Sequence, residues 1–216
     1  MSLETWLAFL GASALLVMLP GPTILTVISY SITHGKRARL PLVLAVTLGD
    51  STALALSLLG LGALLSASAF WFTVVKTVGG LYLLYLGFKL LRAGVAPATL
   101  PQADAAGSRW KLFANTYLVT ALNPKGIIFF VAFLPQFIDP AGDVTRQLWT
   151  LSATFVACAG INATVYALFA GSARRLLASP RAQRGFNLGG GALLSAAGIW
   201  ACLLYTSDAA DDTPCV

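Results

Sequence analysis

Apolar residues gather into six long runs, at about 6–33, 40–65, 69–91, 112–138, 148–171 and 188–205. A helix that crosses a bilayer needs about 20 such residues. The pattern therefore predicts an all-α, polytopic membrane protein with six transmembrane helices. Polar residues are confined to the short segments between runs, and their charges are uneven. Lys36, Arg37 and Arg39 follow the first run; Arg92, Arg109 and Lys111 follow the third; Arg174, Arg175, Arg181 and Arg184 follow the fifth. The second connection, near 66–68, has no charge, and the fourth sets Asp139 and Asp143 against Arg146. Positive loops stay on the cytoplasmic side, so the odd connections are expected inside and both termini outside. Trp6, Trp71, Trp110 and Trp149 lie near run ends, where interfacial anchors belong.

The one flexible linker, 94–108, is rich in Ala, Pro and Gly and divides a single domain, 1–205, into halves of about 1–93 and 109–205. The halves look related. Gly80 and Gly87 are seven apart in the third run, as Gly191 and Gly198 are in the sixth, so each pair shares a helix face that another helix can approach closely. Gly49-Asp50 in the second run answers Gly160-Ile161-Asn162 in the fifth, and Pro22 answers Pro124. Three helices per half make the repeat inverted, an architecture of secondary transporters. The alternative is that Gly and Pro are simply common in membrane helices. Residues 206–216 change character abruptly to Ser, Asp, Ala, Thr and Pro; they read as a disordered or non-native tail without function.

Two runs are interrupted. Leu19-Pro20-Gly21-Pro22-Thr23 breaks the first and Ala121-Leu122-Asn123-Pro124-Lys125-Gly126 the fourth. In hydrocarbon an unsatisfied backbone group costs several kcal/mol, so an interrupted helix must line a cavity or be buried in protein. Asn is a strong N-cap, and Pro suits the first helical position because its missing N–H is not needed there. Each break thus predicts a half-helix whose positive N-terminus points at mid-bilayer, and two such ends make an anion site for a carboxylate, with Lys125 adding a full charge. The competing reading is that both prolines only kink their helices and Lys125 snorkels. Asp50 is the one acid within a span. It could neutralise an ammonium, carry a coupling proton or pair with Lys76. Asn162 and Tyr85 could line a polar cavity, as could Asn115, Thr47 and Ser51, although each alone serves as well in a helix–helix hydrogen bond.

Composition narrows the classes. Hydrophobic residues make up 57%, charged residues 10%, and mean hydropathy is +0.80; soluble domains carry roughly 25% charge. The net charge of +6 sits in loop clusters, which excludes nucleic acid as a partner. Cys158, Cys202 and Cys215 have no paired spacing, so neither a disulfide framework nor a metal site is indicated. No basic n-region precedes Leu7, so the first run reads as retained. The single histidine, His34, lies beside a basic loop and offers no base within a span, which argues against an enzyme.

At Leu19-Pro20-Gly21-Pro22, at 79–87 and at Leu122-Asn123-Pro124-Lys125 the chain resembles the LysE/RhtB amino-acid exporters. The resemblance covers essentially 1–205. It implies export of amino acids or their derivatives across a bacterial inner membrane by proton antiport, with no cofactor. The family's motif positions carry over as Pro20, Gly21, Pro22, Asn123, Pro124 and Lys125, and Asp50 falls where an intramembrane acid is expected. A single intramembrane acid favours neutral substrates such as homoserine or threonine. The implied partners are the amino acid, a proton, membrane lipid and, as an option, a second copy in a homodimer. A metal-ion or other small-solute exporter of related fold is the alternative, weakened by too few placed acids, His and Cys.

Overall fold

The computed structural model describes residues 1–67, 69–94, 100–101, 108–139 and 141–211, with 61–67, 69–73, 75–76 and 200–211 described as backbone only. Among these residues the regular structure is helical throughout. Helix α1 spans Leu3–Met18, capped by the Ser2 side chain on the Thr5 N–H, and α2 spans Pro22–His34. The two are bent by 55° across the first proline break. Helix α2 ends at Gly35, whose φ of +59° is open to glycine at little cost, and α3 starts at once, Lys36–Ala67. Helix α4 is Ala69–Arg92. Helix α5, Arg109–Ala121, begins on the Ser108 cap, and α6 restarts at Pro124–Ile128. Helix α6 runs on through a π-helical turn, Phe129–Phe133, and a 3-10 turn, Leu134–Phe137. Helices α7, Val144–Leu168, α8, Ala170–Ala178, and α9, Pro180–Asp211, complete the chain.

The elements follow the apolar runs closely, including both interruptions. Among the described residues, three helical stretches, Lys36–Gly60, Arg109–Phe137 and Val144–Leu168, are long and apolar enough to cross a membrane, and the bent α1–α2 pair makes a fourth if counted as one span. Helix α9 continues to Asp211, beyond the 205 boundary that the sequence predicts; residues 212–216 lie outside the described residues, as do most of the linker and the side chain of Lys76.

The outward surface is apolar: Leu40, Leu56, Leu59, Leu118 and Ile161 are all more than half exposed. Between lipid-facing helices the hydrophobic effect adds little, so close packing has to hold them together. Phenylalanines fill the interior. Phe9 meets Phe137 at 5.2 Å between ring centroids, Phe130 meets Phe155 at 4.7 Å, and Phe129 meets Phe133 at 4.9 Å. Helix α7 buries every fourth residue, Gln147, Leu151, Phe155, Ala159, Ala163 and Ala167, and so presents one narrow face to α1, α2 and α3. Helices α4 and α9 make the most extensive helix–helix contact, at the glycines expected from the sequence. A Cβ on Gly191 would lie 2.8 Å from the Gly87 carbonyl, and one on Gly198 2.8 Å from that of Gly80. Gly191→Val is accordingly expected to force the pair apart and lower unfolding stability in detergent by about 2 kcal/mol or more. An unchanged thermal unfolding curve would contradict this packing.

Candidate functional site

The two proline breaks meet. Pro20 lacks an N–H and holds Leu19 extended (φ −64°, ψ 119°). Gly21 is also extended (φ −132°, ψ −175°), and Pro22 opens α2 at its first position. In the fourth run Asn123 is extended (φ −69°, ψ 112°) ahead of Pro124, and its Oδ1 accepts the Lys125 N–H at 3.1 Å. The Asn123 Nδ2 donates to Thr23 Oγ1 at 3.2 Å, which ties the start of α6 to the start of α2.

A helix leaves its last carbonyls without intrahelical partners. At the α1 end every one of them is met. Lys125 Nζ donates to the Leu16 and Leu19 carbonyls, both at 2.9 Å. Asn162 Nδ2 donates to the Val17 carbonyl at 2.8 Å and the Tyr166 hydroxyl to that of Met18 at 3.1 Å. The Leu15 carbonyl accepts the Leu19 N–H at 3.3 Å. An ammonium at a helix C-terminus also complements the macrodipole. In this geometry Lys125 is first of all the cap of α1, a role that the sequence reading, which gave its charge to a substrate, did not assign.

The α2 start is different. Gly21 has no side chain to cap with, and the first intrahelical bond is Leu25 N–H to the Gly21 carbonyl at 3.0 Å. The Thr23 and Ile24 amides at that end therefore have no side-chain cap. Asp50 is on α3, across from them. It lines a cavity of about 40 Å³ together with Thr23, Ile24, Asn123, Lys125 and Asn162. Gly126 borders the same space; a Cβ there would come within 3.9 Å of Asp50 Oδ1. Val46, Phe155 and Ala159 supply apolar wall. Glycine brings the carriers close: a Cβ on Gly49 would fall 2.8 Å from Thr120 Cβ, and one on Gly160 2.9 Å from Thr47 Cγ2. These positions precede Asp50 and Asn162, so the two residues are delivered where α3 meets α5 and α7.

Of the residues singled out in the sequence, Asp50, Asn123, Lys125 and Asn162 converge on this cavity; Pro20, Gly21, Pro22 and Pro124 shape its ends. Tyr85 does not join them. It is 57% exposed on α4, 6.1 Å from the Tyr82 ring, because the inward side of α4 at this level is taken by Leu83 and Gly87. Thr47, Ser51 and Asn115 are committed elsewhere: Thr47 and Ser51 to backbone carbonyls of their own helix, Asn115 to the Tyr30 hydroxyl. The sequence marks Thr23 only as the last residue of the first break and does not single out Tyr166. Tyr166 is four residues after Asn162, on the same helix face, which is the one signal that could have found it. Tyr166→Phe should strand the Met18 carbonyl and lower stability by about 1 kcal/mol, read as a drop in the detergent unfolding midpoint; an identical midpoint would deny the cap.

Known proteins resemble this chain along most of its length. The profile of the family described as LysE type translocator matches residues 14–205. The homoserine/homoserine lactone efflux protein of Salmonella typhimurium is 32% identical, covering 92% of this chain and 96% of its own. An uncharacterized membrane protein of Vibrio cholerae is 32% identical over 87% of this chain and 91% of its own. The leucine efflux protein of an Enterobacter species is 29% identical over 79% of this chain and 80% of its own. No solved structure matches.

Proposed function

Because the chain belongs to the LysE type translocator family, and so is a membrane transporter and not an enzyme, we propose that it exports neutral amino acids or their derivatives, such as homoserine or threonine, by proton antiport. The observation that carries the reading is the shared cavity of Asp50 and Lys125 beside the uncapped start of α2. One carboxylate and one ammonium sum to no net charge, which suits a zwitterion and disfavours a substrate with a second positive charge. The substrate ammonium faces Asp50. Its carboxylate takes the Thr23 and Ile24 amides, and Lys125 turns from the α1 carbonyls towards it. A proton arriving from outside neutralises Asp50, the ammonium loses its counter-charge, and the substrate leaves.

A cavity of about 40 Å³ holds roughly three waters, whereas ligand pockets start at roughly 300 Å³. Binding therefore goes with a rearrangement that opens the space. We place that motion between two inverted three-helix halves in a six-span bundle. Supporting the two-fold relation, the two broken spans touch through Asn123 and Thr23, α3 packs on α7, and α4 packs on α9. In this reading the chain lies in the bacterial inner membrane with both termini outside, an orientation that the basic odd-numbered connections support.

The test is counterflow in proteoliposomes of the purified chain, with labelled homoserine, threonine, leucine and lysine. Uptake of neutral amino acids, quickened by a proton gradient, is expected. No counterflow of any amino acid would refute the function; counterflow indifferent to the gradient would refute the antiport alone.

A further inference from the structure

A second cavity, of about 480 Å³, opens on the surface of the protein where the start of α3 meets the start of α5. Its rim is cationic. Lys36 and Arg37 come from the first turn of α3, and Arg109 from the first turn of α5. Among the described residues no acidic side chain lines it. Both helices also turn their positive dipole ends this way. Its floor is apolar and unusually open: Leu40 is 68% exposed, Leu44 45% and Trp110 73%. Down α5 the rings form a ladder. Trp110 stacks on Phe113 at 5.4 Å between centroids and 18° between planes, and Phe113 on Tyr117 at 6.0 Å and 13°. Further along, the Tyr117 hydroxyl and Thr52 Oγ1, 3.0 Å apart, join the two helices.

We propose that this groove is a binding site for one anionic phospholipid. The phosphate sits among Lys36, Arg37 and Arg109, and an acyl chain lies along the Trp110–Phe113–Tyr117 ladder against Leu40 and Leu44. A free phosphate would use the rim and leave the exposed leucines and rings wet; a neutral lipid would use the floor and leave three cations without a counter-charge. Basic pockets between membrane helices take acidic head groups for this reason. The lipid bridges α3, which carries Asp50, and α5, which ends at the Asn123 break. It thereby clamps the two elements that deliver the polar site. The proposal rests on the chain lying in a bilayer and not on what it transports.

Native mass spectrometry of the purified chain with phosphatidylglycerol or phosphatidylcholine of identical acyl chains tests it. Retention of phosphatidylglycerol is expected to exceed that of phosphatidylcholine by roughly 10- to 100-fold. The triple variant Lys36→Gln/Arg37→Gln/Arg109→Gln should bring that ratio to about one. Arg174→Gln/Arg175→Gln, which removes exposed cations from α8, should leave it intact. An undiminished preference in the triple variant, or an equal loss in the α8 variant, overturns the site. If the triple variant does not fold, phenylglyoxal labelling of the unaltered chain decides. Phosphatidylglycerol vesicles should shield Arg37 and Arg109 several-fold more than Arg174 and Arg175, and inorganic phosphate should not; uniform shielding, or shielding by phosphate alone, rejects the lipid.

Discussion

Replacing Lys125 by Met should both unfold the protein more readily and stop transport. The ammonium holds the Leu16 and Leu19 carbonyls at 2.9 Å each. Met keeps the length of the side chain and supplies no donor. Two carbonyls at the broken end of α1 then lose their donor, and Asp50 loses the cation that shares its cavity. Removing one partner of a buried charged pair costs about 3–5 kcal/mol. The detergent unfolding midpoint should fall by a matching amount, and counterflow should vanish. A midpoint equal to that of the unaltered chain would mean that the α1 end does not depend on this side chain, and the account of the broken span would go with it.

Asp50→Asn should separate function from folding. Asn has nearly the shape of Asp, so the contacts of α3 with α5 and α7 survive. Lys125 keeps its two carbonyls and the dipole of α1, so the stability loss should stay near 1 kcal/mol, well below that of Lys125→Met. Transport is another matter, because an amide neither neutralises an ammonium nor takes up a proton. Substrate counterflow is expected to fall at least about 100-fold, the size of a lost charge-assisted contact, and any remaining flux should ignore a pH gradient. Near-normal flux through a folded Asp50→Asn protein would remove Asp50 from the proposed mechanism. The double variant Asp50→Asn/Lys125→Met adds a check on stability. Deleting both charges should be less harmful than adding the two single losses.

Much of this was legible in the residues. Apolar runs of about 20 place helices because nothing else satisfies backbone groups in hydrocarbon. Pro20, Pro22 and Pro124 mark the breaks because a proline lacks an N–H and bars the residue before it from helix. Asp50 and Lys125 stood out because charges in such runs need a reason to be there. The heptad-spaced glycines pointed to a close helix pair, and Gly87 and Gly191 meet in it.

The assignment of partners was not legible. Tyr85 read as cavity-lining and faces outward, since in an almost wholly apolar helix the letters do not say which side looks in. Thr23, named only as the end of a break, and Tyr166, not singled out, prove to be hydrogen-bond partners at the site. What the chain's own order of residues determined is where helices run, where they stop, and which side chains carry charge into the bilayer; each follows from local backbone chemistry and the cost of burying polar groups. What only the tertiary structure decided is that Lys125, Asn162 and Tyr166, distant in sequence, converge on the end of α1, and that the α2 start is left open beside Asp50. Hydrogen bonds across 100 residues or more depend on how glycine-lined helices settle against one another, and that packing is a property of the whole bundle.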